Sequence, residues 1–204
     1  MPPPHTDIRH AMLRILLLAA ALVLTACARD DAPHFNTTDV TGSAWGPGLK
    51  LPDAHGKERT LADFKGHAVA VFFGFTQCPD VCPTGMLMLS EVVKKLGPDG
   101  DKLDVIFVTV DPNRDTPELL QAYMNAFNPR FVALRGTEEQ TAAIAKEFKV
   151  FYEKRGDVAG GTYTMDHTAA FFIFDPQGRA RLFVRHGETP ERVAQDVKQL
   201  IDGK

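Results

Sequence analysis

The chain has 204 residues, 44% of them hydrophobic, and a formal charge of −3. That length supports one ordinary globular domain with a substantial core plus additional segments. The slight acidity and the lack of any basic stripe argue against a nucleic-acid partner. The aromatic residues are mostly phenylalanine, fourteen in all, spread through apolar segments as core residues are.

In chain order, Arg9 and Arg14 precede an apolar run from Ile15 to Leu24, which leads into Thr25-Ala26-Cys27. The run is short for a bilayer span and suits the apolar region of a signal peptide. Small residues leading directly into a cysteine resemble the lipobox of bacterial lipoproteins, which implies cleavage before Cys27 and acylation of its sulfur. The expected organisation is a signal peptide over residues 1–26, a lipidated N-terminus and flexible polar tether over 27–48, and a domain over 49–204. That places the domain on the periplasmic side of a membrane, where disulfides can form.

Within the domain, Leu49-Lys50-Leu51 and Arg59-Thr60-Leu61 flank Asp53-Ala54-His55-Gly56, the pattern of a hairpin. Residues 61–66 turn into an apolar stretch from Ala68 to Phe75 that has no polar face, as in a central strand. Proline is favoured at the first helical position, so a helix is expected from Pro83 to Leu96, stopped by Gly97-Pro98. A second doubly apolar strand runs from Leu103 to Val110. Thr116-Pro117-Glu118 supplies an N-cap, a first-position proline and a first-turn acid, opening a helix to Phe127. A short strand from Arg130 to Leu134 precedes the capping box Thr137-Glu138-Glu139-Gln140 and a helix to Phe148. The stretch from Phe151 to Met165, with Gly156, Gly160 and Gly161, reads as an irregular loop of the kind that carries function. A hairpin follows across Asp175-Pro176-Gln177-Gly178, and Thr189-Pro190-Glu191 opens a last helix to Ile201.

Strands alternating with helices and closing in a hairpin plus helix give βαβ units with an antiparallel edge. With a cysteine motif at the first of those helices, this order resembles the thioredoxin fold: α/β, a central mixed sheet flanked by helices. The N-terminal β-hairpin and the strand–helix unit from Arg130 to Phe148 would be additions to it.

The motif is Phe75-Thr76-Gln77-Cys78-Pro79-Asp80-Val81-Cys82-Pro83. Two thiols four residues apart lie on one side of a turn, where free N–H groups and the helix dipole acidify them. Such a pair can close a disulfide or grip a soft metal. Thioredoxins carry C-x-x-C and a proline before the closing hairpin; here the spacing is C-x-x-x-C, and His167 stands near the proline's place. Two thiolates and an imidazole make a soft three-ligand site suited to Cu(I) and able to accept Cu(II). Structural zinc usually takes four protein ligands, and no fourth is evident.

Three ordered motifs, residues 74–83, Asp111-Pro112-Asn113-Arg114-Asp115-Thr116-Pro117 and Asp166-His167, resemble the signature of the Sco/SenC family. The resemblance implies a membrane-tethered, thioredoxin-like copper protein that helps assemble the dinuclear copper centre of cytochrome c oxidase, with Cys78, Cys82 and His167 as copper ligands. Its partners would be the copper-centre subunit of that oxidase, other periplasmic copper chaperones or thiol reductases, and the membrane through its lipid. Gln77 stands where many members have histidine, and Phe75 where tyrosine is common.

Four further residues are expected to support the site. Asp111 and Arg114 would sit beside the metal in a loop, the guanidinium paired with Asp111 or Asp115. The Asp80 carboxylate would bond the amides at the helix start. Asp166 would accept from His167 and orient it. Met86, Met88 and Met165 read as core filler. The competing function is a thiol–disulfide reductase using Cys78 and Cys82 as a redox pair without stable copper. A peroxidase is disfavoured by Pro79, which occupies the place of the Thr or Ser such enzymes need.

Overall fold

The computed structural model describes residues 33–204, so Cys27 and the expected signal peptide lie outside the described residues. The described residues form ten strands: β1 (Thr38–Asp39), β2 (Lys50–Pro52), β3 (Glu58–Thr60), β4 (Ala68–Gly74), β5 (Leu103–Thr109), β6 (Val132–Leu134), β7 (Tyr152–Asp157), β8 (Thr162–His167), β9 (Ala170–Phe174) and β10 (Ala180–Arg185). Four α-helices accompany them: α1 (Val81–Lys95), α2 (Pro117–Phe127), α3 (Glu138–Glu147) and α4 (Pro190–Ile201).

Six strands make one mixed sheet in the order β1-β10-β9-β4-β5-β6. β4 pairs parallel with β5, and β5 with β6, through helical crossovers, whereas β9 runs antiparallel to β4 and β10 antiparallel to β9. Every residue of β4 and of β9 is buried, as strands covered on both faces must be. Phenylalanines carry the core: Phe72 stacks on Phe171 at 4.8 Å between centroids, and Phe148 meets Phe73 and Phe172 edge-on at 5.1 Å each. This is the thioredoxin-like arrangement. The N-terminal hairpin is β2–β3, and the added strand–helix unit is β6–α3, attached at the β5 edge. The Thr116 cap and the Thr137 capping box both form.

Three expectations need correction. The helix at the cysteine turn begins at Val81, two residues before Pro83. Asp80 O already accepts from Thr84 N at 3.1 Å, and a proline at the third position forfeits nothing because first-turn amides have no intrahelical acceptor.

The stretch from Phe151 to Met165 is a two-stranded antiparallel ribbon, β7–β8, and no irregular loop. Its alternation was present in the sequence, with Tyr163, Met165 and His167 on one face and Thr162, Thr164 and Asp166 exposed on the other. Charged residues on β7 and three glycines obscured it. Gly156 needs its positive φ of 107°, and a Cβ there would sit 2.9 Å from the Thr162 carbonyl across the ribbon.

The flexible tether does not extend to residue 48. Residues from His34 onward fold as part of the domain unit. Thr38 and Asp39 add a strand to β10, Phe35 is buried, and Trp45 packs edge-on against Phe172 at 5.1 Å. The anchor is the buried Asp196 of α4. It accepts from Asn36 N (2.8 Å), Asn36 Nδ2 (2.9 Å), Thr37 N (2.9 Å) and Thr37 Oγ (2.8 Å). A buried carboxylate had no reason to show itself at the sequence level as the partner of residues 160 positions away.

Removing it should release the strap. Asp196→Ala is expected to lower the unfolding free energy by about 2–3 kcal/mol and to make residues 34–48 sensitive to proteolysis. A urea midpoint equal to the parent's would show that the strap adds no stability.

Candidate metal centre

The site is built where β4 ends. Gly74 O accepts from Val110 N at 2.8 Å, which ties the ends of the two central strands together. A Cβ on Gly74 would lie 2.8 Å from Cys82 Sγ and 2.9 Å from both Phe72 and Phe107 ring atoms. Only glycine lets that sulfur sit against the strand end. The chain then turns. Thr76 donates its amide (3.2 Å) and its hydroxyl (2.6 Å) to the buried Asp115 carboxylate, which also takes the Thr109 hydroxyl at 2.5 Å. Cys78 N donates to Phe75 O at 3.3 Å, and α1 begins three residues later.

Cys78 thus sits just before the helix and Cys82 in its first turn. Cys82 N donates to Cys78 Sγ at 3.4 Å, so a sulfur occupies the place of an N-cap acceptor. Cys82 is fully buried, Cys78 is 9% exposed, and both are free thiols.

His167 ends β8 and closes the third side. Its Nε2 lies 3.3 Å from Cys82 Sγ, and its Nδ1 faces the Thr168 carbonyl at 3.2 Å. A carbonyl can only accept, so that contact puts the proton on Nδ1 and leaves Nε2 with a free lone pair toward the sulfurs. The ring stands edge-on between Phe72 and Phe75, 5.9 Å from each centroid. The ligand atoms of Cys78, Cys82 and His167 all lie within 4.8 Å of one another, the one such group among the described residues. This donor set fits a soft copper ion: two sulfurs and an imidazole nitrogen converge, with apolar walls. Met86 and Met165 are buried in the core and Met88 packs against it, as fillers.

The two thiols differ sharply in acidity. The neighbouring Cys82 thiol and the backbone N–H groups of Asp80 and Cys82 bring the Cys78 thiol down to about 4 against the pull of burial. Cys82 is pushed strongly upward, first by being the donor in that pair and then by its own burial. The pair therefore holds one proton at neutral pH, with the negative charge on the outer sulfur. Beneath it, burial raises the Asp115 carboxyl, opposed by the hydroxyls of Thr109 and Thr76.

The four supporting residues fare unevenly. Asp111 and Arg114 do pair, and both contact Tyr163 of β8. Asp115 is not the partner of Arg114; it pins the cysteine turn instead. The exposed Asp80 carboxylate makes no capping bond, because the backbone at φ −143°, ψ −75° is off the capping geometry. Asp166 does not orient His167. It points to the opposite face of the ribbon, where Arg155 Nε donates to it at 2.9 Å, and the Thr168 carbonyl takes its expected role. Tyr163 and Thr168 are contributors absent from the sequence expectations, and Asp115, expected there as a possible partner of Arg114, instead holds Thr76 and Thr109. The signal for Tyr163 was its same-face spacing with His167.

Fold and site together define a thioredoxin-like protein whose cysteine pair has acquired a histidine as third soft donor. The SCO1/SenC profile matches residues 38–202, and the chain belongs to that family. It is 36% identical over 165 residues to an SCO2-like protein of Rickettsia prowazekii, covering 79% of each chain. Among solved structures it resembles Bradyrhizobium japonicum ScoI with copper bound, at 39% identity and a TM-score of 0.70, covering 77% of this chain and 99% of that one. It also resembles apo Sco1 of Thermus thermophilus, at 38% identity and a TM-score of 0.72, covering 83% and 98%.

The acidity split has a direct readout. Alkylation of the reduced protein should occur at Cys78 with a rate nearly flat between about pH 6 and 8, where an ordinary thiol changes by roughly two orders of magnitude. Gly74→Ala, by displacing the Cys82 sulfur, should move the Cys78 titration upward. A Cys78 rate that climbs tenfold per pH unit in the parent would contradict the shared-proton arrangement.

Proposed function

We propose that this protein binds one copper ion through Cys78, Cys82 and His167 and carries it to the copper centre of cytochrome c oxidase during assembly. The observation that carries this reading is the convergence of two sulfurs and a lone-pair nitrogen within 4.8 Å at the mouth of the fold. Membership of the SCO1/SenC family supports it, as does the likeness to a ScoI with copper bound.

The residues divide the work. The Cys78 thiolate, the less buried of the two sulfurs and already charged, is the first to meet an incoming soft cation. Cys82 then gives up its proton, so that both sulfurs carry charge, and the His167 Nε2 completes the set without any change of tautomer. Buried aromatic walls keep competing hard ligands and water away. A site that opens through one partly exposed sulfur is suited to handing its ion on by ligand exchange.

Lipidation at Cys27 and a periplasmic location belong to the same reading, supported by the Ile15 to Leu24 run and the residues before Cys27. Because the strap is docked from Phe35, the chain from Cys27 reaches at most about 30 Å, which would keep the domain near the membrane. No helix among the described residues is long and apolar enough to cross a membrane.

A second reading rests on the same thiols. A charged outer sulfur beside a protonated inner one is the arrangement of a nucleophilic and a resolving cysteine, so the pair is also suited to reducing a disulfide in the oxidase subunit before metallation.

Titrating the reduced protein with Cu(I) and Cu(II) separates the two. The copper reading expects one ion per chain, release of about one proton per Cu(I) at neutral pH, and a thiolate-to-Cu(II) charge-transfer band. His167→Ala should weaken Cu(II) binding by at least the 10- to 100-fold typical of disturbing a ligand's support. Absence of binding, with a reversible Cys78–Cys82 disulfide, would leave the reductase.

A further inference from the structure

The ribbon that carries His167 is not a member of the main sheet; among the described residues, β7 and β8 pair as strands only with each other. Something outside the sheet ladder must fix the third ligand. At the ribbon's base, Phe151 and Thr168 exchange two bonds, Phe151 N to Thr168 Oγ at 3.0 Å and Thr168 N to Phe151 O at 2.9 Å. Along its length, Lys154 Nζ meets Glu138 of α3 at 3.1 Å, a pair exposed enough to hold little.

Met165, on the same face of β8, is buried in the core, and a further attachment is of a different kind. Arg114, in the loop after β5, is only 17% exposed and uses its guanidinium in three ways. Its Nε pairs with the buried Asp111 carboxylate, its Nη1 donates to the Tyr163 carbonyl at 2.6 Å, and its plane lies 3.6 Å from the Tyr163 ring centroid. Tyr163 closes the triangle by donating its hydroxyl to Asp111 Oδ1 at 2.8 Å. Tyr163 and His167 lie on the same face of β8, four residues apart, so fixing one sets the register and tilt of the other. Arg114 also approaches the Phe75 ring at 5.9 Å, the same ring against which His167 stands.

We propose that Arg114 is a positioning residue, a latch that clamps the ribbon at Tyr163 and thereby holds His167 over the cysteine pair. With the latch closed, three ligands face the metal; with it open, the ribbon can lift and leave a two-sulfur site from which Cu(I) departs more readily. The latch is an inference about the ribbon that stands without copper. Its consequence for metal retention rests on the copper reading above.

Stability alone does not explain the arrangement. Arg114 Nη2 is buried with no partner among the described residues, and a buried guanidinium with an unmet donor contributes little net stability. Arg114→Met alone leaves the buried Asp111 carboxylate without its cation and should cost stability, so the double variant Arg114→Met/Asp111→Asn, which removes both charges, is measured beside it. Arg114→Lys keeps the charge beside Asp111 but loses the fork and the stacking plane, so it should fail to restore the latch.

The test uses the full-length reduced chain, first without metal. Hydrogen exchange of the β8 amides should rise about tenfold or more in Arg114→Met and Arg114→Lys while β4 and β9 stay protected. Arg59→Met, which breaks the remote Arg59–Asp53 pair, serves as the control and should leave β8 unchanged. Loaded with Cu(II), the Arg114 variants should shift their charge-transfer band toward that of His167→Ala and bind Cu(II) about 10- to 100-fold more weakly, with a smaller loss for Cu(I). Unchanged β8 exchange, or faster exchange with the parental copper spectrum, overturns the latch. Should His167→Ala itself bind copper like the parent, the copper reading falls, and the latch is judged on exchange alone.

Discussion

The site depends on one buried contact, the Cys82 sulfur lodged against the bare backbone of Gly74 at the end of the central strand. From that position Cys82 gives its N–H to the Cys78 sulfur and stays the protonated partner beside it, so the outer sulfur carries the negative charge of the pair. Burial keeps the inner proton in place, because a second thiolate there would be a desolvated like charge. A soft cation resolves this tension by supplying the positive charge that lets both sulfurs ionise.

Around this contact, the fold holds one half of the site rigidly and the other half loosely. The cysteines ride on the strand–turn–helix junction, fixed by the two central strands, by Asp115 beneath the turn and by the phenylalanine core. The histidine rides on a ribbon outside the sheet, held by its base, by Met165 buried in the core and by the Arg114–Asp111–Tyr163 triangle. Stable binding and release make opposite demands on a carrier. On the proposed carrier reading, dividing the donors between a rigid and a movable element meets both, since His167 could be withdrawn without disturbing the sulfurs.

The docked strap adds a spatial constraint. Residues 34–48 had the composition of a linker, polar and rich in glycine and proline, yet Asp196 satisfies four of their donors and Trp45 and Phe35 pack on the core. Composition describes what a segment can bury by itself; it says nothing about a partner waiting 160 positions away.

Much of the fold was legible from the chain because its cues are local. Doubly apolar runs marked β4 and β5, and Thr116-Pro117 and the Thr137 box marked helix starts to the residue. Cysteine spacing and the place of His167 before the closing hairpin marked the three side chains that converge, since strand order alone brings those ends together. The sequence could not show which acid meets which donor. Asp80, Asp166, Asp111 and Asp115 are alike in type and in nearness to the motifs, but one faces solvent, one turns to the far side of a ribbon, one clamps Arg114 and one is buried beneath the turn. Local periodicity and sterics determine elements and their order, so the sequence determined the scaffold and the three donors. The direction of each carboxylate, the tautomer of His167 and the unequal acidity of the thiols depend on long-range packing and burial, and only the tertiary structure decided them.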